Sequence, residues 1–152
     1  MDTTQPGMSE IINAVGTLQA GDRQAARTEL LRLWHEWSKR DAPLQRCTIA
    51  HFLADTEDDP ATELEWDLLA LEAATGSRGD SDLEAVDPSL NNFLPSLHLN
   101  VGDACRRTGQ SERAKLHVEN GLARSSSLED DGYGQYVRGG LERLRARLDN
   151  NS

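Results

Sequence analysis

Apolar residues recur every three or four positions along most of the chain, and short polar or Gly/Pro breaks cut that pattern into helix-sized pieces. Ile11, Ile12, Val15 and Leu18 predict a helix from Met8 that stops at Ala20-Gly21-Asp22. Ala25, Ala26, Leu30, Leu31, Leu33, Trp34 and Trp37 predict a second, ended by the breaker Asp41-Ala42-Pro43. Leu44, Cys47, Ile49, Ala50, Phe52 and Leu53 mark a third, to about Ala54. After Glu57-Asp58-Asp59-Pro60, with Asp59 placed to cap and Pro60 at the first helical position, Ala61, Leu64, Trp66, Leu68, Leu69 and Leu71 mark a fourth that ends at Ala74-Thr75-Gly76.

Between Gly76 and Asp87 the chain is polar and rich in Gly, Ser and Asp, which predicts a solvated connector. Asp87-Pro88 is a helix start, and Pro95 either kinks the following helix or divides it from a short leading turn. Leu97, Leu99, Val101, Ala104 and Cys105, a glycine-containing break, and then Leu116, Val118 and Leu122 predict two helices folded back on each other. Beyond Ser125-Ser126-Ser127, the residues Tyr133, Tyr136, Val137, Leu141, Leu144 and Leu148 form one apolar face, and Arg138, Arg143, Arg145 and Arg147 supply much of the polar one. Gly139-Gly140 should weaken that helix by about 1 kcal/mol per glycine, which moves its expected start toward Leu141. Residues 1–7, polar and ending in Pro6-Gly7, should fray.

Small residues stand where two helices would cross closely: Gly102, Gly109, Ala114 and Gly121. His98, Val101, Gly102 and Cys105, followed by Ala114 and Val118, occupy the slots of the pattern W-x2-L-G-x2-Y, then A-x3-F, so that this segment resembles a tetratricopeptide repeat. Ile49, Ala50 and Leu53 repeat the spacing, and Thr62 lies 36 residues after Ala26, close to one period. Thr62 to Ala114 is 52 residues, one period plus an insertion. Gly21 and Ala26 are five residues apart, as are Gly109 and Ala114, although counting back from Gly21 puts Glu10, Asn13, Ala14 and Thr17 in the first-helix slots. The resemblance implies an all-α, right-handed α-solenoid of about three helical hairpins, at 8–40, 43–76 and 95–127, with a connector at 77–94 and a C-terminal capping helix at 131–150.

It also implies a role: a non-catalytic adaptor that holds a peptide or protein segment in a concave groove lined by the first helix of each pair. Carried onto this sequence, the groove positions are Ser96, Leu99, Asp103, Arg106 and Arg107, with Asn100 beside them, and Cys47, His51 and Asp55 in the preceding unit. The paired Lys and Asn that clamp a carboxylate terminus in some such proteins are missing. Arg106 and Arg107 could instead receive an acidic group of the partner. The alternative is self-association, in which the same face or the end helix joins two copies into a homodimer.

Composition narrows the partners. A formal charge of −10 and a pI near 4.8 oppose binding to nucleic acid and to anionic lipid. With 37% hydrophobic residues and seven aromatics, the core must be built mainly from Leu and Ala, which suits stacked helices. The opening MDTTQPGMSE has no basic region or apolar run, and no stretch reaches the roughly 18 apolar residues of a membrane span, so a cytoplasmic protein is expected. Cys47 and Cys105 sit in apolar helical patterns and read as small buried hydrophobes in a reducing compartment.

Candidate chemistry is sparse. Cys47, His51 and Asp55 share a helical face, which resembles a metal-ligand set or a Cys/His nucleophile. The short-spaced second ligand pair of a zinc site and an orienting group for catalysis are not evident in the sequence. Asp55, Glu57, Asp58 and Asp59 lack the central glycine of a calcium loop, and Gly102 and Gly109 lack the lysine of a phosphate loop. Trp34, Trp37, Trp66, His98 and His117 fall in packed positions and read as core. The Arg78-Gly79-Asp80 tripeptide, without a secretion signal, is not read as an adhesion ligand. No catalytic residue, metal or cofactor is expected.

Overall fold

The computed structural model describes residues 5–77 and 84–150. Among them it contains seven α-helices, α1 (Met8–Gln19), α2 (Arg23–Trp37), α3 (Pro43–Ala54), α4 (Pro60–Thr75), α5 (Leu94–Arg107), α6 (Ser111–Arg124) and α7 (Gly132–Asn150), with short 3-10 turns at Pro88–Phe93 and Ser125–Ser127 and no strand. No helix among the described residues is long and apolar enough to cross a membrane.

Local chemistry sets the boundaries. Asp22 and Asp59 cap α2 and α4 by accepting from the backbone N–H of Ala25 (3.3 Å) and Thr62 (3.1 Å). Two of the turns are built alike. Gly21 and Gly109 take positive φ of 95° and 81°, which favours glycine. At each, the glycine N–H donates three residues back, to Leu18 or Arg106, and the next N–H donates five back, from Asp22 to Thr17 (3.2 Å) and from Gln110 to Cys105 (2.8 Å). The α1–α2 and α5–α6 connections are therefore the same chain reversal, set by one glycine each.

Every helix packs against its successor, most extensively α3 with α4 and α5 with α6, while α1 also reaches α3 and α5 also reaches α7. One continuous apolar core runs from Met8 and Ile11 through Leu30, Ile49 and Leu97 to Leu148, all buried. The sparse aromatics are spent on packing: Trp34 meets Trp66 edge-on at 5.4 Å, and Trp37 is 7% exposed beneath the Arg40 guanidinium. Neither cysteine is in a disulfide, both are fully enclosed, and burial pushes the Cys47 thiol up to about 12. His98 and His117 are buried where α5 crosses α6, their Nδ1 atoms 3.1 Å apart, so one ring donates and the other accepts.

Three expectations need correcting. Residues 5–7 do not fray: the Gln45 side chain donates to the Pro6 carbonyl at 3.0 Å, and Gly7 lies against the Trp37 ring, leaving no room for a side chain. The connector is partly built. Val86 N–H donates to Ala74 O at 2.8 Å, and of the two arrangements expected at Pro95 the second is found: the short turn Pro88–Phe93 leads into α5, with Pro95 in its first turn. Residues 78–83, with the Arg78-Gly79-Asp80 tripeptide, lie outside the described residues. Finally, α7 starts at Gly132 and not near Leu141. Asp131 caps it through Gly134 N–H at 2.8 Å, Arg138 donates to the carbonyls of Ser125, Leu128 and Glu129, and Gly140 lets Leu99 approach where a Cβ would meet its Cδ2 at 2.8 Å. These contacts offset the weak helix propensity of the two glycines.

The crossing of α5, α6 and α7 is set by two small residues. A Cβ on Gly102 would lie 3.5 Å from the Ala114 carbonyl oxygen and 3.3 Å from Leu144 Cδ2, and one on Gly121 would lie 2.7 Å from Leu141 Cδ2 and 3.2 Å from His98 Cβ. Gly102 therefore has room for a methyl group at near-normal contact and for nothing larger. Gly102→Leu should cost about 1–3 kcal/mol by overpacking, whereas Gly102→Ala should be neutral or stabilising by up to about 1 kcal/mol through helix propensity. Thermal unfolding of the two variants is the check, and a Leu variant that melts with the wild type would place the crossing elsewhere.

Candidate functional site

Helix α3 presents Leu44, Thr48, Phe52 and Asp55 at spacings of four, four and three, which is one face. Helix α5 presents Ser96, Asn100, Asp103 and Arg107 with the same logic. Two cavities open along the α3 face. The first, about 380 Å³, is mainly apolar and lies among Leu44, Thr48 and Phe52 of α3, Leu90 and Phe93 of the 3-10 turn, and Tyr133 of α7. Such a size and lining suit one or two apolar side chains or a small ligand.

His51 divides it from the second cavity. Its ring meets Phe52 and Phe93 edge-on, both at 4.8 Å, and its Nδ1 is 3.3 Å from the Asn100 amide nitrogen. Burial holds the imidazole pKa down to about 4, so at neutral pH the ring is uncharged and accepts the Asn100 N–H.

The second cavity, about 200 Å³, is polar. It is lined by Ala54 and Asp55 at the end of α3, Glu63 and Asp67 of α4, and Asn100, Asp103 and Arg107 of α5. Arg107 bridges Glu63 and Asp103, with Nε 3.0 Å from Asp103 Oδ2, and Arg106 binds the other Asp103 oxygen at 3.0 Å. Asp67 is different. It is 3% exposed, lines the cavity and makes no hydrogen bond with any described residue. Its burial pushes its carboxyl up to about 8, helped by the nearby Glu63, Asp55 and Asp103 carboxylates and opposed by Arg107. Asp55, at the solvent-exposed rim, is also raised, by partial enclosure and by Glu63, against the pull of Arg23.

Of the residues expected to form a groove, His51, Asp55, Asn100, Asp103 and Arg107 come together here, with Arg106 flanking them. The others do not join them. Cys47 is sealed in the core and cannot share a surface with His51. Leu99 packs into a small cluster with Leu128, Val137 and Leu141 under α7, and Ser96 faces the Tyr133 hydroxyl. Among the described residues no group of three or more His, Cys, Asp or Glu side chains is disposed to hold a metal ion. Sequence reasoning missed Glu63 and Asp67 on the second helix of its pair, and the aromatic contributors Phe93 and Tyr133. One signal was present: Asp67 interrupts the buried stripe Leu64, Asp67, Leu71, Ala74, where a carboxylate has no structural reason to be.

No protein-family model matches this chain, and no curated protein or solved structure matches it either.

The Asp67 environment gives a pH prediction. Between about pH 4, where an unfolded Asp titrates, and about 8, the native chain holds a proton that the unfolded chain has lost, so this group makes stability fall as pH rises across that window. Asp67→Asn removes the effect. It should leave the melting temperature little changed near pH 4 and raise it relative to the wild type at pH 8, because the amide cannot ionise. Thermal melts of both proteins from pH 4 to pH 9 test this, and parallel curves would mean that Asp67 is solvated.

Proposed function

We propose that the chain is a non-catalytic adaptor that binds a peptide or protein segment along the face formed by α3 and α5. In this reading α1 with α2, α3 with α4 and α5 with α6 are three tetratricopeptide-like hairpins of a right-handed α-solenoid, and α7 is the cap that covers its last interface. The matching glycine reversals at Gly21 and Gly109, the neighbour-to-neighbour packing and the close approach of α5 to α6 at Gly102 support it.

The observation that carries the binding role is that the two cavities lie in succession along one helix. An apolar hollow and a polar one follow each other along one stripe of α3, with uncharged His51 between them. A bound segment would place an apolar side chain against Phe52, Phe93 and Tyr133 and a polar one near Asp55 and Asn100. Backbone groups of the segment would meet Asn100 and Thr48. The partner chemistry differs from the sequence expectation. Arg106 and Arg107 already serve Asp103 and Glu63, so an acidic partner group would have to displace an internal ion pair.

Peptides selected from a random library displayed on phage test the role. Those that bind should lose at least about tenfold, or about 1.4 kcal/mol, with Phe52→Ala combined with Tyr133→Ala, at unchanged helical content. Selected peptides that bind wild type and variant equally would remove the groove. Light scattering should give a 16.8 kDa monomer. A doubled mass that reverts with Tyr133→Ala would instead assign this face to a homodimer.

A further inference from the structure

We infer that the polar cavity between α3, α4 and α5 is a receptor for the guanidinium of an arginine side chain, with Asp67 as its floor. The inference rests on the adaptor reading above for its biological source, a basic residue of the bound segment, but the cavity can be tested without it.

The carboxylates come from three helices: Asp55 from α3, Glu63 and Asp67 from α4, and Asp103 from α5. Arg107 neutralises Glu63 and Asp103 from one side, which leaves Asp55 at the rim and Asp67 at depth without a cationic partner within ion-pair distance among the described residues. An acidic cluster alone would say little, since exposed carboxylates are satisfied by water. Asp67 is 3% exposed, lines this cavity and has no hydrogen-bond donor among the described residues. Leaving such a group unmatched weakens the fold, so its place in the Leu64–Leu71 stripe calls for a function.

A guanidinium meets the geometry better than an ammonium. It is planar and weakly hydrated, and its five N–H donors can serve Asp67, the Asp55 rim and the Asn100 carbonyl oxygen together, the Asn100 amide nitrogen being engaged with His51. A volume of about 200 Å³ holds that head group with a few waters, at roughly 30 Å³ per water. The apolar stem of the side chain would then pass Ala54 at the cavity wall.

Binding should also move a proton. In the empty cavity the Asp67 carboxyl is largely protonated at pH 7, and an entering cation favours the carboxylate, so a proton is released to solvent. The groups that act on it are Asp55 of α3, Glu63 of its own helix, and Asp103 and Arg107 of α5. His51 of α3 stays neutral above about pH 5 and adds no charge. Affinity should therefore rise as pH increases from 6.5 to 8.5, and the rise should depend on Asp67.

The test uses the full chain, labelled with 15N, and the amides N-acetyl-arginine methylamide, its citrulline analogue and N-acetyl-lysine methylamide as probes. The arginine amide is expected to shift the resonances of Asp67, Asn100 and Ala54 saturably, at millimolar concentration, with the citrulline analogue silent and the lysine amide at least fivefold weaker. Asp67→Asn, which keeps the shape and removes a buried charge, should weaken arginine binding about tenfold and abolish its pH dependence. Asp55→Asn should weaken it less and leave the pH dependence in place. No saturable shift, equal binding of citrulline or lysine, or an unchanged Asp67→Asn titration would overturn the assignment. Arginine binding with no peptide held would fail the adaptor and keep the cavity. Groove-bound peptides that neither carry a basic residue nor respond to Asp67→Asn would fail the cavity and keep the adaptor.

Discussion

The close approach of α5 to α6 at Gly102 is the constraint on which the remaining architecture depends. The two backbones lie so close that a Cβ on Gly102 would already stand 3.5 Å from Ala114 O and 3.3 Å from Leu144 Cδ2 of α7, which leaves no room for a larger side chain. That contact turns one side of α5 toward α6. With Gly102, Cys105 and His98 on that side, the residues Asn100, Asp103 and Arg107 project toward α3 and α4, and Leu99 toward α7. The polar cavity thus lies on the side of α5 opposite its crossing with α6.

The second organising feature is electrostatic. A protein with a formal charge of −10 gathers four carboxylates around one cavity, with Arg107 and Arg106 pairing two of them, and buries another, Asp67. Elsewhere its ion pairs are peripheral: Arg23 with Asp58, and Arg32 with Glu10 and Glu29, are largely solvated and contribute little to stability. Arg27 with Glu57 is more enclosed and ties α2 to the α3–α4 turn, where Glu57 also accepts from the Trp66 indole. Peripheral pairs set solubility and the docking of a turn. The Asp67 carboxyl instead weakens the fold at neutral pH, which is the pattern of a group kept for what it meets rather than for what it supports.

Helix boundaries were largely legible in the sequence because their causes are local. Asp22 and Asp59 cap, Pro43, Pro60 and Pro88 open helices, and Gly21, Gly76 and Gly109 close them, each acting within a turn of itself. The exception was α7. Its tandem glycines lower intrinsic propensity, but the Arg138 contacts and the fit of Leu99 against Gly140 come from other parts of the chain and override it. For the candidate site the sequence reached part of the residue set, since the groove positions implied by the tetratricopeptide resemblance include His51, Asp55, Asn100, Asp103 and Arg107.

Sequence by itself determined the all-helical class, the positions of the breaks, the small-residue crossing at Gly102 and the burial of both cysteines, because periodicity and backbone propensity are short-range properties. Tertiary structure decided which carboxylates share one cavity, that Arg106 and Arg107 are already engaged with Asp103 and Glu63, and that Tyr133 closes the apolar hollow. Those outcomes depend on the relative rotation of helices separated by tens of residues. Rotation is set by the summed fit of many side chains across the crossings, which no single stretch of the chain encodes.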